Sequence, residues 1–483
     1  MGSLPARRVY FLVAAFVAGA AVLGLEVLAA RTMAPAIGTG SIAWAALLAV
    51  ALGSLAAGNL VSGFLADRVR PHLAVLWLMT AGAAPLVALS LCYTPAMHWA
   101  AGHSLVIAAV AAAALTQCVP MLLLGAITPL LLAPEREGTG TLPLPGWWSG
   151  AVLAGGSAGG IAGALVVGLS LLPAVGLART YLLIAAALTV AALVGAGAFR
   201  RWTALAFALA ILVAALICWV LIGSPSVVQS RYGQIEVRRT EDGTVMLIDG
   251  MPQTGIVGQV ERGDGLRHGY LLEAALVFGQ PRTALVIGLG GGLAPRLLAA
   301  YGIPCRSIEI DPAVAEIARR ELGFEGDVTI ADGRTFLSST REQWDLIVLD
   351  VCTSDRLAWH VFTVEGLQTL HDHLTPQGAA AIQFIGDDGS WSAALARTAQ
   401  AAFGRFVMLA PNTPSFGVGP RWIFASRDPS IVPEAEHLEV EEGLPWRLVK
   451  PEAGGPPLTD DHLAAEHAWA RTAAAWRRVY AEP

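Results

Sequence analysis

Three glycines and one acidic residue form the clearest chemical pattern in this 483-residue chain. Gly288, Gly290 and Gly292 follow the apolar run 284–287, which predicts a strand, and precede the segment 293–300, which predicts a helix. Glycine lets the backbone approach a ligand closely, and a helix N-terminus offers unpaired amides. Glu309 lies near the end of the next predicted strand, 307–311, where an acid commonly binds the two hydroxyls of a ribose. The pattern predicts a nucleoside site.

Two further acids follow predicted strands. Asp332 and Gly333 come after a short strand, and the Asp332 carboxylate can accept a hydrogen bond from an adenine amino group; its alternative role is that of a turn residue. Asp350 ends the apolar strand 345–350, and ligands of open α/β sheets bind at the carboxyl ends of strands. Asp350 is therefore expected to lie beside the reacting group. Its alternative role is that of a helix cap or of an acid in a loop.

The glycine spacing also bears on which nucleoside binds. Leu293 stands where a dinucleotide-binding fingerprint has its third glycine. This difference favours an adenosyl-sulfonium compound over NAD.

The elements that must position these residues begin after residue 223. Residues 224–265 alternate in polarity and break at Asp-Gly pairs, which predicts a small subdomain of β-hairpins. Residues 266–483 contain a short helical segment at 267–278 and then alternating strands and helices, which predicts a Rossmann-like α/β domain.

The first 223 residues have a different composition. The whole chain is 55% hydrophobic and 14% charged, against about 25% charged in an ordinary soluble domain, which excludes a single soluble unit. A membrane helix needs about 20 apolar residues, and we count seven such runs in residues 1–223. This half is therefore predicted to be a multi-pass α-helical membrane domain of about seven spans. The runs are 9–28, 43–65, 73–92, 105–132, 151–172, 181–199 and 204–222.

Charge distribution predicts the orientation of this domain. The segments between the runs fall alternately on the two sides of the membrane, and they hold seven arginines on the side of the N-terminus against two on the other side. Because cytoplasmic segments carry an excess of basic residues, the N-terminus is predicted to be cytoplasmic, in a protein of the plasma (inner) membrane. An odd number of spans then places the C-terminal domain outside. Glu26, inside the first run, is costly to bury. It is interpreted either as an ion pair with Arg31 or as a cation or substrate site.

Charge and cysteine content limit the expected ligands. Residues 224–483 hold 22 basic and 33 acidic residues, a balance that attracts a polycation or merely aids solubility. The five cysteines show no paired spacing, so neither a disulfide framework nor a metal site is predicted. No nucleic acid is expected as a partner, whereas the lipid bilayer is.

Over about residues 227–430 the chain resembles the polyamine aminopropyltransferases, the spermidine synthase family. The whole chain looks like the multi-pass membrane fusions of that family. The resemblance implies a class I methyltransferase-like, spermidine synthase-like fold for the α/β domain. The shared elements are 247–253, Tyr270, the glycine loop, 308–311, 331–333, Asp350 and, near the C-terminus, 458–461.

The resemblance also implies roles for individual residues. Decarboxylated S-adenosylmethionine would donate an aminopropyl group, with Gln253 and Glu309 on the nucleoside and Asp332 on adenine. Tyr270 and Asp350 would face a polyamine or another amine acceptor, and no metal would take part. An amine with a pKa of about 10 arrives protonated, so a carboxylate such as Asp350 can bind it and accept its proton. Soluble members are commonly dimers, which implies a homodimer.

The sequence departs from the family at several positions. Gly291 replaces an acid that helps hold the donor amine, and Thr353 replaces a second acid beside the catalytic one. Asp355 and His360 are the expected substitutes in binding the acceptor. Two alternatives therefore stay open: an S-adenosylmethionine-dependent methyltransferase, and a non-enzymatic sensor or transporter that binds a polyamine or nucleoside.

Overall fold

A computed structural model describes most of the chain. Tyr270, Asp355 and the helical segment predicted at 267–278 lie outside the described residues. The described residues are 4–38, 40–66, 68–133, 135–137, 140–142, 146–222, 227–240, 243–257, 281–351, 358–387, 389–411, 418–432, 446–450, 456–461, 469, 472 and 475.

The chain divides into two compact units, Met1–Gln234 and Ile235–Pro483. The first unit contains the long apolar helices and the second contains the α/β sheet. The sequence-based limits at residues 223 and 265 stay predictions.

The first unit is built from helices joined by short turns. The helices are α1 Leu4–Ile37, α2 Ser41–Ala66, α3 Pro71–Ala101, α4 Leu105–Ala113, α5 Val119–Gly125, α6 Ile127–Leu131, α7 Gly146–Val166, α8 Leu172–Ala198 and α9 Trp202–Leu221. Two π-helical segments, Ala114–Cys118 and Val167–Leu171, connect α4 to α5 and α7 to α8. Three short strands also fall in this unit: β1 Glu135–Glu137, β2 Gly140–Leu142 and β3 Val227–Gln229.

The number of spans differs from the seven predicted. Within the described residues, six helical stretches are long and apolar enough to cross a membrane. The difference arises at Gly146–Ala198, a stretch of 53 residues that contains two of the predicted runs. Two helical segments meet at a kink at Gly176, whose φ of 81° is not helical. At 1.5 Å per residue it is longer than one crossing requires.

Close packing between helices explains the glycines of α7. A Cβ on Gly159 would lie 1.9 Å from the Phe16 carbonyl oxygen, and one on Gly163 would lie 2.1 Å from that of Ala20. Small residues let two membrane helices approach at such positions. Glu26 is half-buried on α1, and the Arg31 guanidinium donates to the Arg231 carbonyl.

The second unit begins with an antiparallel hairpin region. Its strands are β4 Gln234–Thr240, β5 Gly243–Ile248 and β6 Met251–Val257. Strand β5 pairs with both neighbours, as the alternating sequence predicts.

An α/β sheet with helices on both faces follows. Its strands are β7 Ala284–Ile287, β8 Cys305–Glu309, β9 Val328–Ile330, β10 Trp344–Leu349, β11 Leu374–Gly386, β12 Phe406–Pro411, β13 Gly419–Ser426 and β14 Trp446–Leu448. Its helices are α10 Leu293–Ala300, α11 Pro312–Leu322, α12 Gly333–Ser339, α13 Val364–Asp372 and α14 Ser390–Phe403. Two 3₁₀ segments, Trp359–Val361 and Pro429–Ile431, complete the described part.

The strand order of this sheet brings the predicted site residues to one edge. In the described residues the order is β14-β12-β13-β11-β10-β7-β8-β9, and the strands from β11 to β9 run parallel. Ile287 and Leu349 pack on the face that carries Phe336 of α12, while Val286 and Val348 pack against α10. Burial on both faces explains why these strands read as continuous apolar runs.

Candidate active site

The glycine loop connects β7 to α10 and is held close to the end of β10. Gly288, Gly290 and Gly292 all have positive φ, at 93°, 52° and 81°. A Cβ on Gly288 would lie 1.9 Å from the carbonyl oxygen of Asp350, so only glycine fits there. The Asp350 amide in turn donates to the Ile287 carbonyl at 2.8 Å. The loop and the acid at the end of β10 are therefore adjacent.

Glu309 is buried at the end of β8 and binds the backbone on both sides of it. Its Oε2 accepts a hydrogen bond from the Leu289 amide of the glycine loop, and its Oε1 accepts one from the Asp311 amide, both at 2.9 Å. Burial raises the pKa of Glu309, while these backbone hydrogen bonds oppose the rise. A carboxylate offers about four lone-pair sites, so Glu309 keeps the capacity to accept a hydrogen bond from a ribose hydroxyl.

Asp350 follows β10 at the carboxyl edge of the sheet. Its side chain is exposed, yet enough protein surrounds the carboxyl to desolvate it partly. This desolvation and the nearby Glu309 carboxyl raise the pKa of Asp350 to about 6. A carboxylate with such a pKa can accept a proton near neutral pH.

Asp332 begins α12 and contacts His360. Its Oδ1 accepts a hydrogen bond from the Thr335 amide at 2.8 Å, which caps the helix, and its Oδ2 lies 2.7 Å from His360 Nε2. Desolvation opposes ionisation, but the hydrogen bonds from Thr335 and His360 lower the pKa of Asp332. Gly333 is needed for packing, since a Cβ there would lie 2.3 Å from Ile287 Cγ2. Asp332 thus caps a helix, where the sequence offered a turn residue as the alternative, and its contact with adenine stays a prediction.

Two residues that had no predicted role join this group. Arg334 forms two hydrogen bonds with Asp460, from Nη1 to Oδ1 at 2.8 Å and from Nη2 to Oδ2 at 2.7 Å. Arg334 Nη1 also donates to the His360 carbonyl at 2.8 Å. The sequence offered one signal, the segment 458–461, but nothing that pointed to its partner.

The structure brings together only part of the predicted set. The glycine loop, Glu309 and Asp350 are adjacent, and Asp332 and His360 are bonded to each other. Gln253 is half-buried on β6, where its Nε2 donates weakly to the Met251 carbonyl at 3.4 Å. Tyr270, Thr353 and Asp355 fall outside the described residues. In the described ranges no group of three or more His, Cys, Asp or Glu side chains could hold a metal ion.

Comparison with known proteins finds relatives that match parts of the chain. No protein-family model matches the chain. The chain is 38% identical over 129 residues to an N-terminal histidine N-methyltransferase of Emericella nidulans, which covers 25% of the chain and 23% of that protein. It is 28% identical over 241 residues to a polyamine aminopropyltransferase of a Synechococcus species, which covers 45% of the chain and 74% of that protein.

Similarity to solved structures is confined to a part of the chain. A probable spermidine synthase from Corynebacterium glutamicum aligns with a TM-score of 0.40 and 17% identity, over 49% of the chain and 97% of that structure. The first curated relatives are matched over about a quarter to a half of their own length. The resemblance to polyamine aminopropyltransferases predicted from the sequence is confirmed by relatives of that name, which are 25–28% identical to the chain. The names of these relatives do not show whether the α/β unit of this family is joined to a membrane domain.

Proposed function

We propose that the protein is a membrane-anchored aminopropyltransferase. It transfers an aminopropyl group, or a related alkyl group, from a decarboxylated S-adenosylmethionine-type donor to an amine. One observation carries the proposal: Asp350, with its pKa raised to about 6, follows β10 directly beside a glycine loop whose backbone is tied to Glu309. Relatives named polyamine aminopropyltransferase support the reaction class.

The reaction follows from the charges at this edge of the sheet. The acceptor amine loses a proton to the Asp350 carboxylate, and its lone pair then attacks the methylene next to the donor sulfur. A C–N bond forms as the C–S bond breaks, and the sulfur leaves as a neutral thioether. Asp350 binds the ammonium, orients the lone pair and takes the proton, while Glu309 holds the loop at the nucleoside. Polyamines are cationic, which suits the acidic residues 224–483.

The test is release of methylthioadenosine by the full-length protein in detergent. The purified protein is incubated with decarboxylated S-adenosylmethionine and putrescine, and the thioether product is measured. We expect release by the wild type and a loss of at least a hundredfold with Asp350→Asn, which cannot take the proton. Asp372→Asn is the matched control, because Asp372 is an exposed acid (73%) outside the site. Equal rates for wild type and Asp350→Asn would exclude the proposed base.

Methyl transfer is the second candidate, and specific relatives favour it. The methyltransferase of Emericella nidulans and a eukaryotic elongation-factor methyltransferase of Danio rerio are 38% and 37% identical to the chain over 129 and 87 residues. Gly291 also leaves no acid for the amine of a decarboxylated donor. Equilibrium binding of the two donors separates the candidates. Tighter binding of S-adenosylmethionine supports methylation, and tighter binding of the decarboxylated form supports aminopropyl transfer.

The membrane placement completes the proposal. We place the first unit in the plasma (inner) membrane as a multi-pass anchor with a cytoplasmic N-terminus. The arginine distribution, together with the seven apolar runs counted in the sequence, supports a placement of the α/β unit outside. A homodimer stays a prediction from the family resemblance.

A further inference from the structure

We propose that Asp460 is a positioning residue of the nucleoside site, acting through Arg334 and His360 on Asp332. The inference rests on the proposed function, because it assumes that Asp332 accepts a hydrogen bond from the donor's adenine. Recognition of the adenine amino group then depends on a residue near the C-terminus.

The first link is a paired ion contact. The Arg334 guanidinium meets both oxygens of Asp460 at 2.8 Å and 2.7 Å, the bidentate geometry that gives such pairs their directionality. Thr363 Oγ1 donates to Asp460 Oδ1 at 2.7 Å. The Arg334 hydrogen bonds lower the pKa of Asp460 to about 2, so it is ionised at any working pH. Asp460 thereby fixes the plane of the guanidinium.

The second link leads from Arg334 to the acceptor. Nη1 of Arg334 donates to the His360 carbonyl at 2.8 Å, which fixes the backbone of the short 3₁₀ turn Trp359–Val361. From that turn His360 reaches Asp332, with Nε2 2.7 Å from Oδ2. The Thr335 amide holds the other oxygen of Asp332 at 2.8 Å. Both oxygens of Asp332 therefore have fixed partners, and the direction of the remaining lone pairs is set.

The segment that contains Asp460 has anchors of its own. The Leu458 amide donates to Thr398 Oγ1 at 3.0 Å, and the Val364 amide donates to the Leu458 carbonyl at 2.8 Å. The Asp460 amide donates to Glu365 Oε2 at 3.0 Å. None of these contacts uses the Asp460 side chain. Removing that side chain is therefore expected to free Arg334 while the segment stays in place.

A structural role and a positioning role of Asp460 predict different selectivity between a 6-amino and a 6-oxo nucleoside. If the network orients Asp332 toward a 6-amino group, its loss weakens binding of an adenine nucleoside and leaves a 6-oxo analogue unaffected. The probes are methylthioadenosine and methylthioinosine, which differ at that one position of the base. We expect the wild type to prefer methylthioadenosine by about tenfold, the effect of one hydrogen bond at a partly buried acceptor.

The experiment measures equilibrium binding of both probes to full-length protein in detergent. We expect Asp460→Ala to bind methylthioadenosine about tenfold more weakly and methylthioinosine as the wild type does. Arg334→Lys is expected to behave likewise, because lysine keeps the charge but not the two-pronged contact. Asp461→Ala is the matched control, since Asp461 is the adjacent acid and is exposed. His360→Ala should reproduce the loss of selectivity without changing Asp460.

Two results would overturn the inference. Unchanged selectivity in Asp460→Ala and Arg334→Lys excludes it, and so does an equal weakening of both probes together with a lower melting temperature, which marks a structural role. The proposed function fails in a different way. A wild-type protein that binds neither nucleoside contradicts the nucleoside site itself and removes both proposals.

Discussion

The carboxylate of Glu309 accepts a hydrogen bond from the Leu289 amide at 2.9 Å, so the acid that ends β8 holds the backbone of the glycine loop. The same carboxylate binds the Asp311 amide at 2.9 Å, where α11 begins. A buried acid that was expected only to bind ribose therefore also shapes the glycine loop.

Replacing Glu309 should destabilise the glycine loop, whose backbone it binds, more than the sheet. Glu309→Ala leaves two buried amides without an acceptor, which is expected to lower the free energy of unfolding by about 2 kcal/mol or more. Glu309→Gln keeps one acceptor oxygen and should lose less. Thermal unfolding and methylthioadenosine binding report both effects, with Glu325→Ala as an exposed control. Equal stability of the alanine variant and the wild type would show that the loop does not need this acid.

The close approach at Gly288 gives a test with an internal control. Gly288 and Gly302 both have positive φ, but a Cβ on Gly302 meets nothing within 4 Å. Gly302→Ala should therefore cost only the backbone strain, about 1 kcal/mol. Gly288→Ala adds a clash with the Asp350 carbonyl and should destabilise by about 1–3 kcal/mol more. Denaturation of the two variants in parallel checks this, and similar losses would contradict the contact.

The raised pKa of Asp350 sets the pH dependence of the proposed transfer. Its value of about 6 means that the carboxylate that accepts a proton is present above pH 6 and is lost as the pH falls through it. The rate should therefore rise about tenfold per pH unit below that point and level off above it. Methylthioadenosine release measured from about pH 5 to pH 8 tests this. A profile that is flat over the range would contradict a role for Asp350 as the base.

The side of the membrane can be tested directly. The long stretch Gly146–Ala198 bends at Gly176, and two crossings by this stretch restore an odd number of spans. A C-terminal alkaline phosphatase fusion is then expected to be active, while a fluorescent-protein fusion at the same position stays dark. A matched pair of fusions after residue 66 is the control, because two spans return the chain to the cytoplasm. Fluorescence at the C-terminus would reverse the predicted placement.

Local patterns in the sequence were sufficient to predict the strands and the helix of the central βαβ unit. The predicted strand 284–287 and helix 293–300 coincide with β7 and α10, because hydrophobic runs and glycines depend on nearby residues. The next strand was predicted at 307–311 and lies at Cys305–Glu309, since Asp311 caps α11 instead of extending the strand. The local signal thus located the element but not its end.

Contacts between distant residues were decided by the tertiary structure. Asp332 and His360 are 28 residues apart, and Arg334 and Asp460 are 126 apart, yet each pair lies within hydrogen-bond distance. No periodicity relates such positions, because they meet only when the strand order places β9 and the following helices beside the C-terminal segment. The sequence alone determined the βαβ unit with its glycine loop and the apolar helices. Folding decided which side chains orient the carboxylates, since that depends on long-range packing rather than on local composition.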